Sequence, residues 1–141
     1  MSAVRMEEDE WRAFVLEGTR TAKLATKRAD GSPHVTPVCF TLEGGDVVFS
    51  TDMSTVKAKA MLRDSRVAVC VDDERPPFRY VMLRGRATVD SDPVAVRSSL
   101  QVLGTRYLGA DRARVAVMAH AKPGAVVVRV RVEEVVAWRY Q

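Results

Sequence analysis

Hydrophobic and polar positions in this chain alternate in short runs separated by turn residues. The clearest case is residues 125–132, where Val126, Val128, Val130 and Val132 fall on one side and Arg129 and Arg131 on the other. That period of two predicts a strand with one buried face. Strands are also predicted at 21–27, 33–42, 47–51, 67–73 and 79–90. The run 67–73 is apolar enough to be buried on both sides. Asp30-Gly31 within Arg28-Ala29-Asp30-Gly31-Ser32 supplies the positive φ angles of a hairpin, and Glu43-Gly44-Gly45-Asp46 marks a second turn. Pro37 lies mid-strand and donates nothing to a ladder, so an edge or a bulge is expected there. Gly85 interrupts 79–90 and marks a bend or a close backbone approach.

Helical periodicity is confined to short segments. Residues 7–17 place Trp11, Phe14 and Val15 on one face behind an acidic first turn. A helix from Ser54 to about Asp64 shows Ala58, Met61 and Leu62 on one side. Lys59, Arg63 and Arg66 form a basic stripe on another, by default a solvated face. Asp92-Pro93 opens a longer helix as N-cap and first-turn proline. Its core stripe is Val96, Leu100, Leu103 and Tyr107, and Gly109 suits its stop. Residues 111–121 read as a short helical segment. Strands in hairpin-like order with helices inserted predict a mainly β (α+β) domain over residues 1–141, its six-stranded antiparallel sheet curling into a small barrel.

Composition narrows the function classes. The chain has 141 residues, 47% of them hydrophobic and 28% charged, an ordinary globular mixture. No apolar run approaches the roughly 20 residues of a membrane span. The acidic opening Glu7-Glu8-Asp9-Glu10 does not suit a secretory signal, so a cytoplasmic location is expected. Cys39 and Cys70 sit in apolar runs and read as buried small hydrophobes. His34 and His120 are the only histidines, and no metal-ligand spacing or nucleophile–base constellation is visible. A net charge of +4 favours anionic partners. Basic residues are dispersed and no nucleic-acid motif is present, so a small anionic ligand is as well served as RNA or DNA.

The most specific chemistry lies in Val48-Phe49-Ser50-Thr51-Asp52-Met53-Ser54-Thr55-Val56-Lys57, a strand running into a helix start. Ser54 can N-cap that helix. The free amides and the macrodipole make this end positive, by roughly half an elementary charge. Lys57 in the first turn therefore costs roughly 0.3–1 kcal/mol on a surface helix. The sign reverses if a phosphate sits there, held by amides and ammonium together. The alternative is a solvated lysine with no ligand.

In order and spacing, four pieces resemble the pyridoxamine 5′-phosphate oxidase-like split β-barrels, whose members use FMN or the deazaflavin F420. They are Leu24-Ala25-Thr26 with Asp30-Gly31-Ser32-Pro33-His34-Val35, then Val48-Phe49-Ser50-Thr51, then Ser54-Thr55-Val56-Lys57-Ala58, and Tyr80-Val81-Met82-Leu83-Arg84-Gly85-Arg86-Ala87. The resemblance implies a cofactor phosphate at Ser54, Thr55 and Lys57. It implies a tricyclic ring against Thr36, Pro37, Val38, Ser50 and Thr51, with Tyr80 reaching the cofactor from a neighbouring strand or subunit. It also implies a homodimer with the cofactor at the subunit interface. Val56 and Thr36 stand where the oxidases commonly carry arginines, and losing them removes bidentate phosphate contacts. The chain also stops without the oxidases' longer, basic C-terminal substrate motif. The resemblance is therefore stronger to the F420-using branch, which implies hydride transfer to an unsaturated or conjugated small molecule. Three alternatives stand beside it: an FMN-dependent oxidase or reductase, a non-catalytic flavin or deazaflavin carrier, and a basic nucleic-acid-binding barrel.

Overall fold

The computed structural model describes residues 2–141. Its strands are β1 (Ala3–Arg5), β2 (Ala22–Lys27), β3 (Pro33–Val38), β4 (Phe40–Glu43), β5 (Asp46–Asp52), β6 (Arg66–Asp73), β7 (Arg79–Asp90) and β8 (Ala125–Tyr140). Its helices are α1 (Glu8–Val15), α2 (Val56–Arg63), α3 (Pro93–Leu108) and α4 (Ala113–His120), with a single 3-10 turn over Ala110–Arg112. One eight-stranded sheet runs in the order β3-β2-β6-β7-β8-β5-β4, with β1 added to β8. Every pairing is antiparallel. The sheet curls round its core and stays open between β3 and β4, its two edges.

β8 is the spine. It pairs with β7 from Val127 to Arg139, with β5 through its first six residues, and with β1 at its end. Val126, Val128 and Val130 are fully buried and pack with Leu24, Phe49 and Leu83 inside the curl. Each valine so buried stabilises the fold by about 1.5–3 kcal/mol. The alternate residues are not solvent-facing at this end. Val127 and Ala125 lie under α3, forming a second cluster with Val48, Val96 and Leu100. The outward position thus turns apolar wherever α3 covers the sheet.

Gly85 behaves as the sequence suggested. The β7–β8 register slips between Arg84 and Gly85: Arg84 faces Glu134 while Gly85 faces Val132, leaving Glu133 as the bulged residue. A Cβ at Gly85 would lie 2.0 Å from the Arg131 carbonyl oxygen. Both hairpin turns also hold, but in the first only Gly31 takes a positive φ, +86°, and Asp30 does not; Gly44 and Gly45 stand at +56° and +94°. Asp30 accepts from the Ser32 amide at 2.9 Å in the first. Pro37 lies on edge strand β3, opposite Lys23.

Four expectations need correction. The sheet has eight strands rather than six, because β1 joins β8 and the stretch 33–42 divides at Cys39. Cys39 is consequently exposed at the crossing between the two sheet edges, not buried in a ladder. β6 buries Val67, Val69 and Val71 but leaves Ala68 and Cys70 half-buried, so only one face is fully covered. The basic stripe is also broken: Arg66 belongs to β6 and pairs with Asp64 at 2.7 Å, while Leu62 is 59% exposed on α2.

The C-terminal turn of α3 fastens the fold around the opening. Arg106 donates to the carbonyls of Gly18, Val15, Arg20 and Phe40, and its guanidinium stacks on the Phe40 ring at 4.7 Å. Tyr107 donates its hydroxyl to the Arg20 carbonyl at 2.6 Å and accepts from the Phe40 amide at 3.1 Å. These two side chains tie the α1–β2 loop, the start of β4 and α3 together. The end of α1, the loop after it and the start of β4 thereby share polar partners they would otherwise lack.

Gly85→Ala should destabilise the protein by about 3 kcal/mol, the upper part of the usual overpacking range, because the new methyl meets backbone. Urea unfolding measures this, and an unchanged midpoint would mean the two strands separate freely at the bulge.

Candidate functional site

The turn between β5 and α2 is held from within. Asp52, the last residue of β5, accepts from the Ser54 amide at 2.9 Å and from the Ser54 hydroxyl at 2.7 Å. Those two bonds, the amide first, hold the Asp52 carboxyl below its ordinary pKa, with Lys122 adding a smaller favourable charge. The helix cap is Thr55, not Ser54: the Thr55 hydroxyl accepts from the Ala58 amide at 3.2 Å. Ser54 lies one residue before the cap position. α2 begins at Val56, so Thr55 precedes it, and the Thr55 hydroxyl accepts the Ala58 amide while donating to the Asp52 carbonyl at 2.7 Å. Lys57 is the second residue of α2, so the amides of Val56 and Lys57 are first-turn donors without helical acceptors. The donor set for an anion is thus these two amides and the Lys57 ammonium.

This turn opens into a cavity of about 800 Å³. Its floor and walls come from the end of β3 (Pro37, Val38), the end of β5 (Ser50, Thr51) and the turn itself (Ser54, Lys57). Its roof comes from α3 and α4, through Leu103, Tyr107, Leu108, Val115 and Ala119. His120 and Lys122 stand where the roof meets β8. The Ser50 hydroxyl is buried and has no hydrogen-bond partner. An unpaired buried hydroxyl beside a cavity costs stability unless something in the cavity bonds to it.

Six of the nine residues picked from sequence therefore meet at one cavity: Pro37, Val38, Ser50, Thr51, Ser54 and Lys57. The other three stand apart from its lining. Thr55 is half-buried beneath the turn, where it caps α2. Thr36 neighbours Pro37 on β3 with its hydroxyl buried and unpartnered. Tyr80 is on β7, between Asp72 of β6 and Trp138 of β8.

The roof was not foreseen. The period of α3 makes Leu100, Leu103 and Tyr107 its core stripe, and the first two are indeed buried, yet all three also line the cavity. A stripe facing a cavity and one facing a core have the same period. The only available signal was the segment 111–121, whose Val115 and Met118 had no strand to bury against.

The sequence profile of the pyridoxamine 5′-phosphate oxidase family matches residues 7–139. A Mycobacterium tuberculosis protein described as F420H(2)-dependent biliverdin reductase is 35% identical over 99 residues, 70% of this chain and 71% of that protein. The crystal structure of a conserved hypothetical protein from the same species superposes with a TM-score of 0.82 at 27% identity, covering 95% of this chain and 85% of that one. A structure described as an F420 reductase superposes with a TM-score of 0.68 at 27% identity, covering 87% of this chain and 94% of that one.

Thr55→Ala should lower stability by about 1 kcal/mol through the lost cap. Asp52 gives a pH-dependent counterpart. Its carboxyl is depressed in the folded state, so its contribution is present above the unfolded pKa of roughly 3.9 and lost as pH falls through the folded value. The stability gap between the wild type and Asp52→Asn should narrow as unfolding is measured from about pH 6 down to about pH 3. A gap independent of pH would mean that the carboxylate charge adds nothing to the turn.

Proposed function

The chain belongs to the pyridoxamine 5′-phosphate oxidase family, and we propose that it is an oxidoreductase using the deazaflavin F420 in the cavity at the β5–α2 turn. What carries this reading is Lys57 in the first turn of α2 opening onto a cavity with an unpaired buried Ser50 hydroxyl. The 35% identity to an F420H(2)-dependent biliverdin reductase supports F420 as the cofactor.

The residues present fit such a group. Lys57 and the first-turn amides would hold its phosphate by charge-assisted bonds. The Ser50 hydroxyl, Thr51 and the backbone at Pro37 and Val38 would take the polar edge of the ring. The Ser54 hydroxyl is committed to Asp52, so it shapes the turn and leaves the anion to its neighbours. Thr55 acts from beneath, by capping the helix whose amides point at the anion. F420 supplies the hydride when bound. The protein's part is to orient the ring on one face, keep the other side open to substrate, and exclude water beneath the apolar roof. No side-chain nucleophile is required. The substrate would be an unsaturated or conjugated small molecule, and biliverdin is the first to try.

The proposal includes a homodimer. β3 is an unpaired edge whose Val35 is 62% exposed, and a second copy covering it would complete the site. Tyr80, set apart from this copy's cavity, would then serve the neighbouring subunit's cofactor.

Titration with F420 and FMN side by side should show micromolar or tighter F420 binding and weaker FMN binding. Lys57→Ala should weaken F420 binding by about 1.5–3 kcal/mol, the range of hydrogen bonds to charged groups. Tight, stoichiometric FMN without F420 binding would replace this reading with an FMN oxidoreductase, and binding without turnover would leave a carrier. Light scattering at micromolar concentration should give twice the chain mass of 15.6 kDa. A monomer with cofactor binding intact would overturn the shared site.

A further inference from the structure

One segment makes the outer half of the cavity roof. It is bounded by two glycines in the left-handed region, Gly109 at φ +90° and Gly124 at φ +97°. Between them, α4 buries only Ala113, which sits against Gly104 of α3 so closely that a Cβ on Gly104 would lie 2.6 Å from the Ala113 carbonyl oxygen. Val117 is half-buried against the Val48, Val96 and Leu100 cluster, while Met118 on the outer side of α4 is 79% exposed. Val115, Ala116 and Ala119 nevertheless line the cavity, in line with Leu103 and Leu108 of α3. α4 thus anchors to the core through Ala113 and Val117 and turns a separate apolar row, Val115, Ala116 and Ala119, to the cavity.

That wall has a single charged end. Its polar side chains are Tyr107, His120 and Lys122. The Tyr107 hydroxyl is taken up by the Arg20 carbonyl and the Phe40 amide. Lys122 has no ion-pair partner among the described residues. Asp52, which also lines the cavity and whose carboxyl Lys122 helps to hold down, makes its hydrogen bonds to Ser54 instead. An apolar ceiling ending in an uncommitted ammonium and an imidazole is complementary to an extended apolar molecule with an anionic terminus.

We propose that the Gly109–Gly124 segment is the substrate-selecting wall, and that it selects conjugated molecules bearing a carboxylate, which Lys122 receives with His120 beside it. The placement of this wall opposite the hydride donor rests on the F420 reading above, whereas the carboxylate preference stands on the wall itself. The apolar body of the substrate lies under Leu103, Val115 and Ala119, so the ring system is held flat by contact on both sides. The carboxylate sets which end enters first.

The test compares biliverdin, a conjugated diacid, with its dimethyl ester. Binding of each to the cofactor-free protein is followed by the pigment's own absorbance, and turnover of each is followed with reduced F420. The wild type should bind the diacid about tenfold more tightly than the ester. Lys122→Gln should remove that preference by weakening the diacid alone, raising its KM with kcat little changed. Val115→Asp, at a half-exposed position, should weaken both pigments by placing a charge in the apolar ceiling. Equal loss of diacid and ester in Lys122→Gln, or no pigment binding by the wild type, would overturn the proposal. So would a Lys122→Gln variant that binds F420 more weakly while binding its phosphate-free chromophore normally, since the ammonium would then serve the cofactor's anionic tail. Failure of the wild type to bind F420, with the diacid preference intact, would remove the cofactor reading and leave the wall standing.

Discussion

The architecture depends on β8 being held along its length by three other strands. Because it pairs with β5, β7 and β1, its position is decided by backbone bonds on both edges. That constraint sets the cavity. Ala125 at the start of β8 pairs with Asp52 at the end of β5, so the β5–α2 turn and the segment entering β8 are neighbours whatever their side chains do. The bulge at Glu133 lets so long a strand turn from one side of the barrel to the other. Gly85 is the residue that lets the two backbones meet there.

The opening between β3 and β4 is the other half of the design. A closed barrel of this size fills with its own side chains, whereas an open one keeps room at its seam. Here the seam is bridged by Cys39 and stiffened from outside by Arg106 and Tyr107. Burial pushes the Arg106 guanidinium below its ordinary pKa and the Tyr107 hydroxyl above its own. Both groups remain useful because backbone carbonyls, not charges, are their partners. The seam is thus fastened at the C-terminal turn of α3 and leaves β3 free as an edge.

Much of this was legible in the chain. The alternation in 125–132, the Asp-Gly and Gly-Gly turns, the glycine at 85 and the proline at 37 each report a local backbone requirement, and each appears where expected. Lys57 stood out for the same kind of reason, as a charge on the disfavoured end of a short helix. Errors arose where a residue had two possible partners. Ser54 and Thr55 are both competent caps, and only the residue at which the folded helix begins, Val56, decides between them. Cys39 looked like a buried hydrophobe because nothing in its neighbours reveals that the chain there crosses between two sheet edges.

What the sequence determined by itself is the set of short-range facts: strand and helix positions, the turns, and a helix start suited to an anion. These follow from φ/ψ preferences and side-chain period, which act over a few residues. The tertiary structure decided which of those pieces face one another. It brought Pro37, Ser50 and Lys57 to one cavity, put Leu103 and Tyr107 on its roof, and set Tyr80 elsewhere. Those outcomes depend on pairings between residues tens of positions apart, and on how far an open sheet curls before helices cover it. An apolar stripe has the same period whether it meets a core or an empty chamber, so only the folded chain could show that part of α3 serves both.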